Sequence, residues 1–137
     1  MPQYWILKTD TDTYSFDDLA REHRAVWDGV SNALALKHIR SMAKGDHVLI
    51  YHSGDEKALV GLARVASAPY PDPKQDDPKL VVVDIEAGKR LPRPVSLATV
   101  KADRAFADLA LVRMSRLSVI PVSEAHWKRL LALADGP

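Results

Sequence analysis

The segments of this chain that read as β-strands are interleaved with only a few short, irregularly placed helices. Most connections are too short for the regular crossover helices of a doubly wound parallel sheet. Gln3 to Lys8 carries Tyr4, Trp5, Ile6 and Leu7 and reads as a buried strand. His47 to Ser53 is apolar on both faces through Val48, Leu49, Ile50 and Tyr51. The turn signal Gly54-Asp55 leads to a strand over Ala58 to Ala66, within which Gly61 permits a close approach of backbone or ligand. Leu80 to Ile85 places Val81, Val83 and Ile85 on one face, and Arg116 to Pro121 reads as a further strand.

Short helices lie between these strands. Ser15 is an N-cap with Asp18 three residues on, a variant capping box, and Tyr14 and Leu19 take the staple positions of a helix over residues 16–22. Arg24 to Asp28 reads as a connector into a turn at Gly29. Ser31 or Asn32 caps a second helix with Leu36, Ile39 and Met42 on one face, ended by Lys44-Gly45. Pro69, Pro71, Pro73 and Pro78 mark an extended polar loop, and Pro92-Arg93-Pro94 closes the segment after the third strong strand. Ser96 caps a helix over 97–102, and Ser123 caps a final one packing through Trp127, Leu130 and Leu131. The expected class is α+β: a small mixed, mostly antiparallel β-barrel of about five or six strands flanked by short helices, in one domain over 1–137. Periodicity leaves the strand order open.

The charge balance limits the function classes. Nineteen basic and 18 acidic residues leave a formal charge of +1, too little for binding that rests mainly on phosphate neutralisation. The distribution is uneven. Residues 88–129 hold nine bases against three acids and residues 1–28 hold six acids against three bases, which allows a local basic face or charges scattered around helices. With no cysteine there is no disulfide, cysteine-ligated zinc or thiol nucleophile. The N-terminal Met-Pro-Gln-Tyr-Trp is unlike a signal peptide, and no apolar run approaches the ~20 residues of a membrane span. A soluble cytoplasmic protein is expected.

Enzyme signatures are missing: there is no glycine-rich phosphate loop, nucleophile elbow or pair of histidines at metal spacing. His52 adjoins Ser53, yet neighbouring strand residues point to opposite faces and no third orienting group is identifiable. Asp76-Asp77 reads as solvated. No cofactor, metal or catalytic residue is expected.

What remains is recognition of a small, flat, polar ligand. Such a pocket needs an apolar wall for stacking and a few fixed polar groups to read an edge. Trp27 can supply the wall, Asn32 an amide that donates and accepts, Ser53 and Ser118 small hydroxyls, and Arg116 a planar fork. Each also has a purely structural use. Trp27 can be a core aromatic, Asn32 a helix cap, Ser118 a packing residue and His52 a hydrogen-bonded core histidine.

At these residues the chain resembles the EVE domain family, a PUA-like branch related to YTH and ASCH domains. The match includes Tyr4-Trp5 and Lys8, Tyr14-Ser15 with Asp18-Leu19, Trp27-Asp28-Gly29-Val30 followed by Asn32, and Lys44-Gly45-Asp46. It continues through Tyr51-His52-Ser53, Val60-Gly61, Tyr70-Pro71-Asp72, Arg93 to Leu97, Ser115 to Val119 and Pro121-Val122-Ser123. The resemblance implies a PUA-like barrel whose concave pocket accepts a nucleobase, and family members are associated with reading modified bases. It maps the pocket to Trp27, Asn32, Ser53, Arg116, Leu117 and Ser118, with Lys8, Thr9 and His52 at the rim and Arg113 facing phosphate. Two blocks depart from the family pattern. Lys8-Thr9-Asp10-Thr11 stands where the family reads Lys-Ser-Glu-Pro, and Ser31, Leu34 and Leu36 replace two arginines and a glutamine. The expected function is non-catalytic recognition of a modified nucleobase in DNA or RNA, the partner being nucleic acid. The alternative is a module for a free nucleoside, nucleotide or other small metabolite, and no membrane partner is expected.

Overall fold

The computed structural model describes residues 2–135; Met1, Gly136 and Pro137, within the expected 1–137 domain, lie outside the described residues. Its elements are β1 (Tyr4–Asp10), α1 (Phe16–Glu22), β2 (Arg24–Trp27), α2 (Ala33–Arg40), β3 (His47–Ser53), β4 (Ala58–Val65) and β5 (Tyr70–Pro71). These are followed by β6 (Val81–Ser96), α3 (Leu97–Ala102), a 3-10 turn (Arg104–Phe106), α4 (Ala110–Arg113), β7 (Val119–Val122) and α5 (Glu124–Asp135).

The strands form one mixed sheet in the order β2-β6-β4-β3-β1-β7, with β5 paired to β6 off that path. Only β1 and β3 run parallel, in register from Tyr4–His47 to Asp10–Ser53; every other pairing is antiparallel. The α+β class and the mostly antiparallel sheet match the sequence expectation, with seven strands instead of five or six. β2 and β7 end the order without pairing to each other, so the barrel stays open along one seam. Among the described residues no helix is long and apolar enough to cross a membrane.

Local signals set most boundaries. The Ser15–Asp18 capping box is complete, the Ser15 hydroxyl accepting the Asp18 amide at 3.1 Å and the Asp18 carboxylate accepting the Ser15 amide at 2.9 Å. Ser96 caps α3 through the Thr99 amide. Asn32, not Ser31, caps α2, which ends at Arg40 rather than at Lys44-Gly45. Gly45 instead makes a left-handed turn at φ +97°, with its amide on Val65 O at 2.8 Å.

Three expectations need correction. Arg24 to Trp27 is a strand, not a connector: four residues are too short a run to announce a strand locally, and antiparallel pairing with β6 holds it. β6 does not stop near Ile85 but runs 16 residues through Pro92 and Pro94. The register against β4 jumps from Leu59–Val95 to Gly61–Arg90, so the prolines fall in an irregular stretch where a missing N–H costs no ladder bond. β7 begins at Val119 rather than Arg116, because the chain first turns with the Leu117 amide on Met114 O at 3.0 Å.

The core gathers Ile6, Leu7, Leu49, Ile50, Leu59 and Ile85 from the sheet with Phe16, Leu19, Phe106 and Leu111 from the helical segments. The Phe16 ring lies over Gly61, where a Cβ would stand 2.3 Å from it. The Arg90 guanidinium lies 5.3 Å from the same ring and pairs with Asp17, so Phe16 helps dock α1 against bare backbone.

Asp46 is a buried carboxylate, 1% exposed, at the turn before β3. Its Oδ1 accepts the Gln3 amide at 3.0 Å, and Oδ2 accepts the Trp5 indole N–H at 3.0 Å and the Ala43 amide at 2.9 Å. Asp46→Ala leaves these donors without a partner and is expected to cost about 2–4 kcal/mol, read as a lower urea midpoint at unchanged m-value. A loss below about 0.5 kcal/mol would show that water replaces the carboxylate without penalty.

Candidate functional site

The candidate site lies beside the open seam. Residues of β2 and residues of β1, together with Ser118 just before β7, line one cleft of about 650 Å³. That volume is within the range of roughly 300–1,000 Å³ typical of small-molecule sites. One wall is Arg24 to Trp27 of β2 and the turn Asp28 to Val30; the other is Lys8, Thr9 and Asp10 of β1 with Ser118. Tyr14 and Glu22, with Lys74 from the proline-rich loop, complete the lining.

Each lining group is held from behind. Trp27 is 8% exposed, and its ring meets Tyr14 edge-on at 6.2 Å with an interplanar angle of 83°. Tyr14 is tied to β1 because the Thr9 hydroxyl donates to its carbonyl at 2.5 Å. Its phenol donates to Glu22; burial and then this carboxylate raise its pKa well above the usual tyrosine range, so it stays a neutral donor. Val26, 41% exposed, adds an apolar surface that a strand edge would normally hide.

The cations are fixed as well. Lys8 Nζ donates to Ser115 O at 2.9 Å and lies 5.6 Å from the Tyr51 ring centroid, and burial lowers its pKa. Arg24 gives Nε and Nη2 to Asp84 Oδ2 at 3.3 and 2.7 Å, while Asp84 Oδ1 accepts the Tyr70 hydroxyl at 2.5 Å. Lys74 stands 3.9 Å from Asp28. Lys8, Arg24 and Lys74 share the lining with Asp10, Glu22 and Asp28, so its formal charge is balanced. The arrangement suits a flat ligand that carries both donors and acceptors along its edge.

Of the residues expected from the sequence, Trp27, Ser118, Lys8 and Thr9 line this cleft together, and the others do not. Asn32 is exposed, and its Oδ1 is occupied as the α2 cap by the Ala35 amide at 3.0 Å. Ser53 sits beneath, its hydroxyl donating to Thr9 O at 3.3 Å. Leu117 is buried in the core, Arg116 is exposed on the turn before β7, and Arg113 points to Asp108 at 4.0 Å.

His52 is 5% exposed and holds α1 in place: Nε2 accepts the Phe16 amide at 2.9 Å, and Nδ1 donates to Glu56 at 2.8 Å. These partners assign the Nδ1–H tautomer. Glu56 is thus the orienting group the sequence did not reveal, yet the nitrogen that would activate a nucleophile is already taken by a backbone amide. The sequence reading missed Tyr14, Arg24, Val26 and Lys74 as lining residues. Tyr14 carried a signal only as a helix staple, and the others reach the cleft through pairing with β6 and the path of the proline loop.

The chain is similar along nearly its whole length to known proteins. The EVE domain profile matches residues 3–133. A protein of Rhodopseudomonas palustris solved by NMR is 39% identical with a TM-score of 0.92, covering 97% of this chain and 93% of its own. Human THYN1, solved in complex with 5-methylcytosine containing DNA, is 25% identical with a TM-score of 0.90, covering 98% of this chain and 99% of its own. Mouse thymocyte nuclear protein 1 is 27% identical over 169 residues, which is 98% of this chain and 75% of the relative.

The Arg24–Asp84–Tyr70 chain makes a pH signature. The Tyr70 hydroxyl and then the Arg24 guanidinium hold the Asp84 carboxyl below its ordinary pKa, so its stabilisation is present above about pH 4 and is lost as pH falls through the folded value. The Tm difference between wild type and Asp84→Asn is expected to be largest at neutral pH and to shrink below about pH 4. A difference independent of pH would refute the ionised role of Asp84.

Proposed function

The chain belongs to the EVE domain family, and we propose that it is a non-catalytic reader that takes a modified nucleobase of DNA or RNA into the seam cleft. The whole of residues 1–137 acts as one reading unit. The observation that carries this reading is the coincidence of the Trp27-walled, charge-balanced cleft with likeness along 98% of the chain to a protein solved with 5-methylcytosine containing DNA. The base packs against Trp27 and Val26, and Thr9, Lys8 and Ser118 meet its polar edge. Extracting it from its stack costs a few kcal/mol, which contacts inside the cleft recover.

Phosphate contacts come from the cleft mouth, where Arg24 and Lys74 stand, and from the turn bearing Arg113 and Arg116. They do not come from α2. Leu36 is buried and Leu34 packs against the core, so the positions that hold a cation and an amide in the family pattern serve packing here. With the remaining cations on phosphate, oligonucleotide binding weakens with salt, whereas binding of a free nucleoside changes much less.

A titration against oligonucleotides carrying unmodified, methylated or hydroxymethylated cytosine, with the matching free nucleosides, at two salt concentrations tests the reading. One modified oligonucleotide is expected to bind best, and Trp27→Ala to weaken it by about 1–3 kcal/mol, the scale of base–aromatic stacking. Because Trp27 is mostly buried, Ser118→Ala is measured beside it and circular dichroism checks both folds. Equal affinity for modified and unmodified oligonucleotides would reject the reader, and binding of free nucleosides alone would make the cleft a small-molecule site.

A further inference from the structure

A second cavity, of about 210 Å³, lies behind the turn that follows β2. It exists because the β2–β6 ladder stops at the Trp27–Val83 pair while β6 begins at Val81. Past that pair the chain turns through Gly29 at φ +79°, and the turn stands away from Val81 and Val82 instead of pairing with them. The proline-rich loop closes the other side with Asp72 and Gln75. Gly29 and Val30 line both this cavity and the seam cleft, so the two share a wall.

Asp72 is the informative group. It is 7% exposed, and its Oδ1 accepts the Lys74 amide at 2.9 Å. No hydrogen bond of the described residues uses its Oδ2. None of their fully buried side-chain oxygens lacks a partner, so Oδ2 is not sealed off, and Asp72 is one of the residues that line the cavity. A nearly buried carboxylate in a cavity lined by Val30, Val82 and Leu80 with Ser31 and Gln75 can accept from a donor that enters the cavity.

We infer that this cavity is a second base subsite, taking the nucleotide adjacent to the one in the seam cleft and selecting guanine. The inference rests on the proposed reading of that cleft. Guanine alone among the bases presents two neighbouring N–H donors, N1–H and N2–H, on its Watson–Crick edge. Both can be met by Asp72, since Oδ1 keeps a lone pair beyond the Lys74 amide. Adenine and cytosine set a ring acceptor beside the amino group, and thymine or uracil flanks its N–H with carbonyls; each brings a lone pair against the carboxylate. The size of the cavity admits one base, and Gln75 offers an amide for the remaining edge.

The test uses single-stranded oligonucleotides with one 5-methylcytosine and each of the four bases on its 3′ side, and a matching set varied on the 5′ side. Wild type is expected to favour guanine about tenfold on one of the two sides, the scale of a good bidentate contact. Asp72→Asn keeps an oxygen for the Lys74 amide and replaces the free oxygen with a donor. It is expected to abolish the guanine advantage while the ratio of modified to unmodified affinity at a fixed neighbour persists. Equal affinity for all four neighbours, or a guanine preference unchanged in Asp72→Asn, overturns the subsite. Failure of the cleft reading looks different, with no oligonucleotide distinguishing modified from unmodified cytosine. Guanosine monophosphate titrated into isotope-labelled protein then decides the subsite alone. Amide shifts at Asp72, Gln75 and Val82 that vanish in Asp72→Asn support it, and no shifts there overturn it.

Discussion

The carboxylate of Asp46 sets the frame on which the rest of the structure depends. It binds the Gln3 amide, the Trp5 indole and the Ala43 amide at once, and so pins the start of β1 to the start of β3. That pin helps fix the register of the one parallel pairing in an otherwise antiparallel sheet. A parallel pair has no tight turn to set its register, so a side-chain anchor takes over that role. With one end of β1 fixed, its other end carries Lys8, Thr9 and Asp10 to the seam in a defined orientation. A group buried at one end of the strand thus controls the geometry of a cleft at the other.

The cleft itself is made by incomplete closure. A barrel that closed fully would pair β2 with β7 and fill the seam with ladder hydrogen bonds. Here β2 is four residues long and leaves the sheet at Trp27, while β7 starts only at Val119. The space between them is where backbone pairing gives way to side chains. The side chains there are anchored, Lys8 by Ser115 and Arg24 by Asp84 outside the cleft and Tyr14 by Glu22 within it. A ligand meets a preorganised surface and does not have to order it, which keeps the entropic cost of binding low.

What could be read from the sequence was whatever has a local cause. The Ser15 box, the Ser96 cap, the apolar run of β3 and the turn at Gly54 each act within a few residues and fall where expected. β2 and the second half of β6 were hidden because their strand character comes from partners far along the chain. The site divided along the same line. Trp27, Lys8, Thr9 and Ser118 share the cleft, whereas Asn32 and His52 have polar atoms committed to helix ends, uses that a residue name cannot distinguish from ligand binding. Tyr14, Arg24 and Lys74 reach the cleft through tertiary contacts, which no spacing rule encodes.

The bare backbone at Gly61 has a consequence for how such a binding site can change. Phe16 rests on it and, with Leu19 and the His52 contact, seats α1, and Tyr14 just ahead of that helix lines the cleft. A methyl group added at position 61 would tilt the helix rather than touch the ligand. The shape of the cleft can therefore drift through substitutions in the interior of the sheet while every lining residue keeps its identity. Selectivity in a chain like this is inherited partly from residues that never meet what is selected.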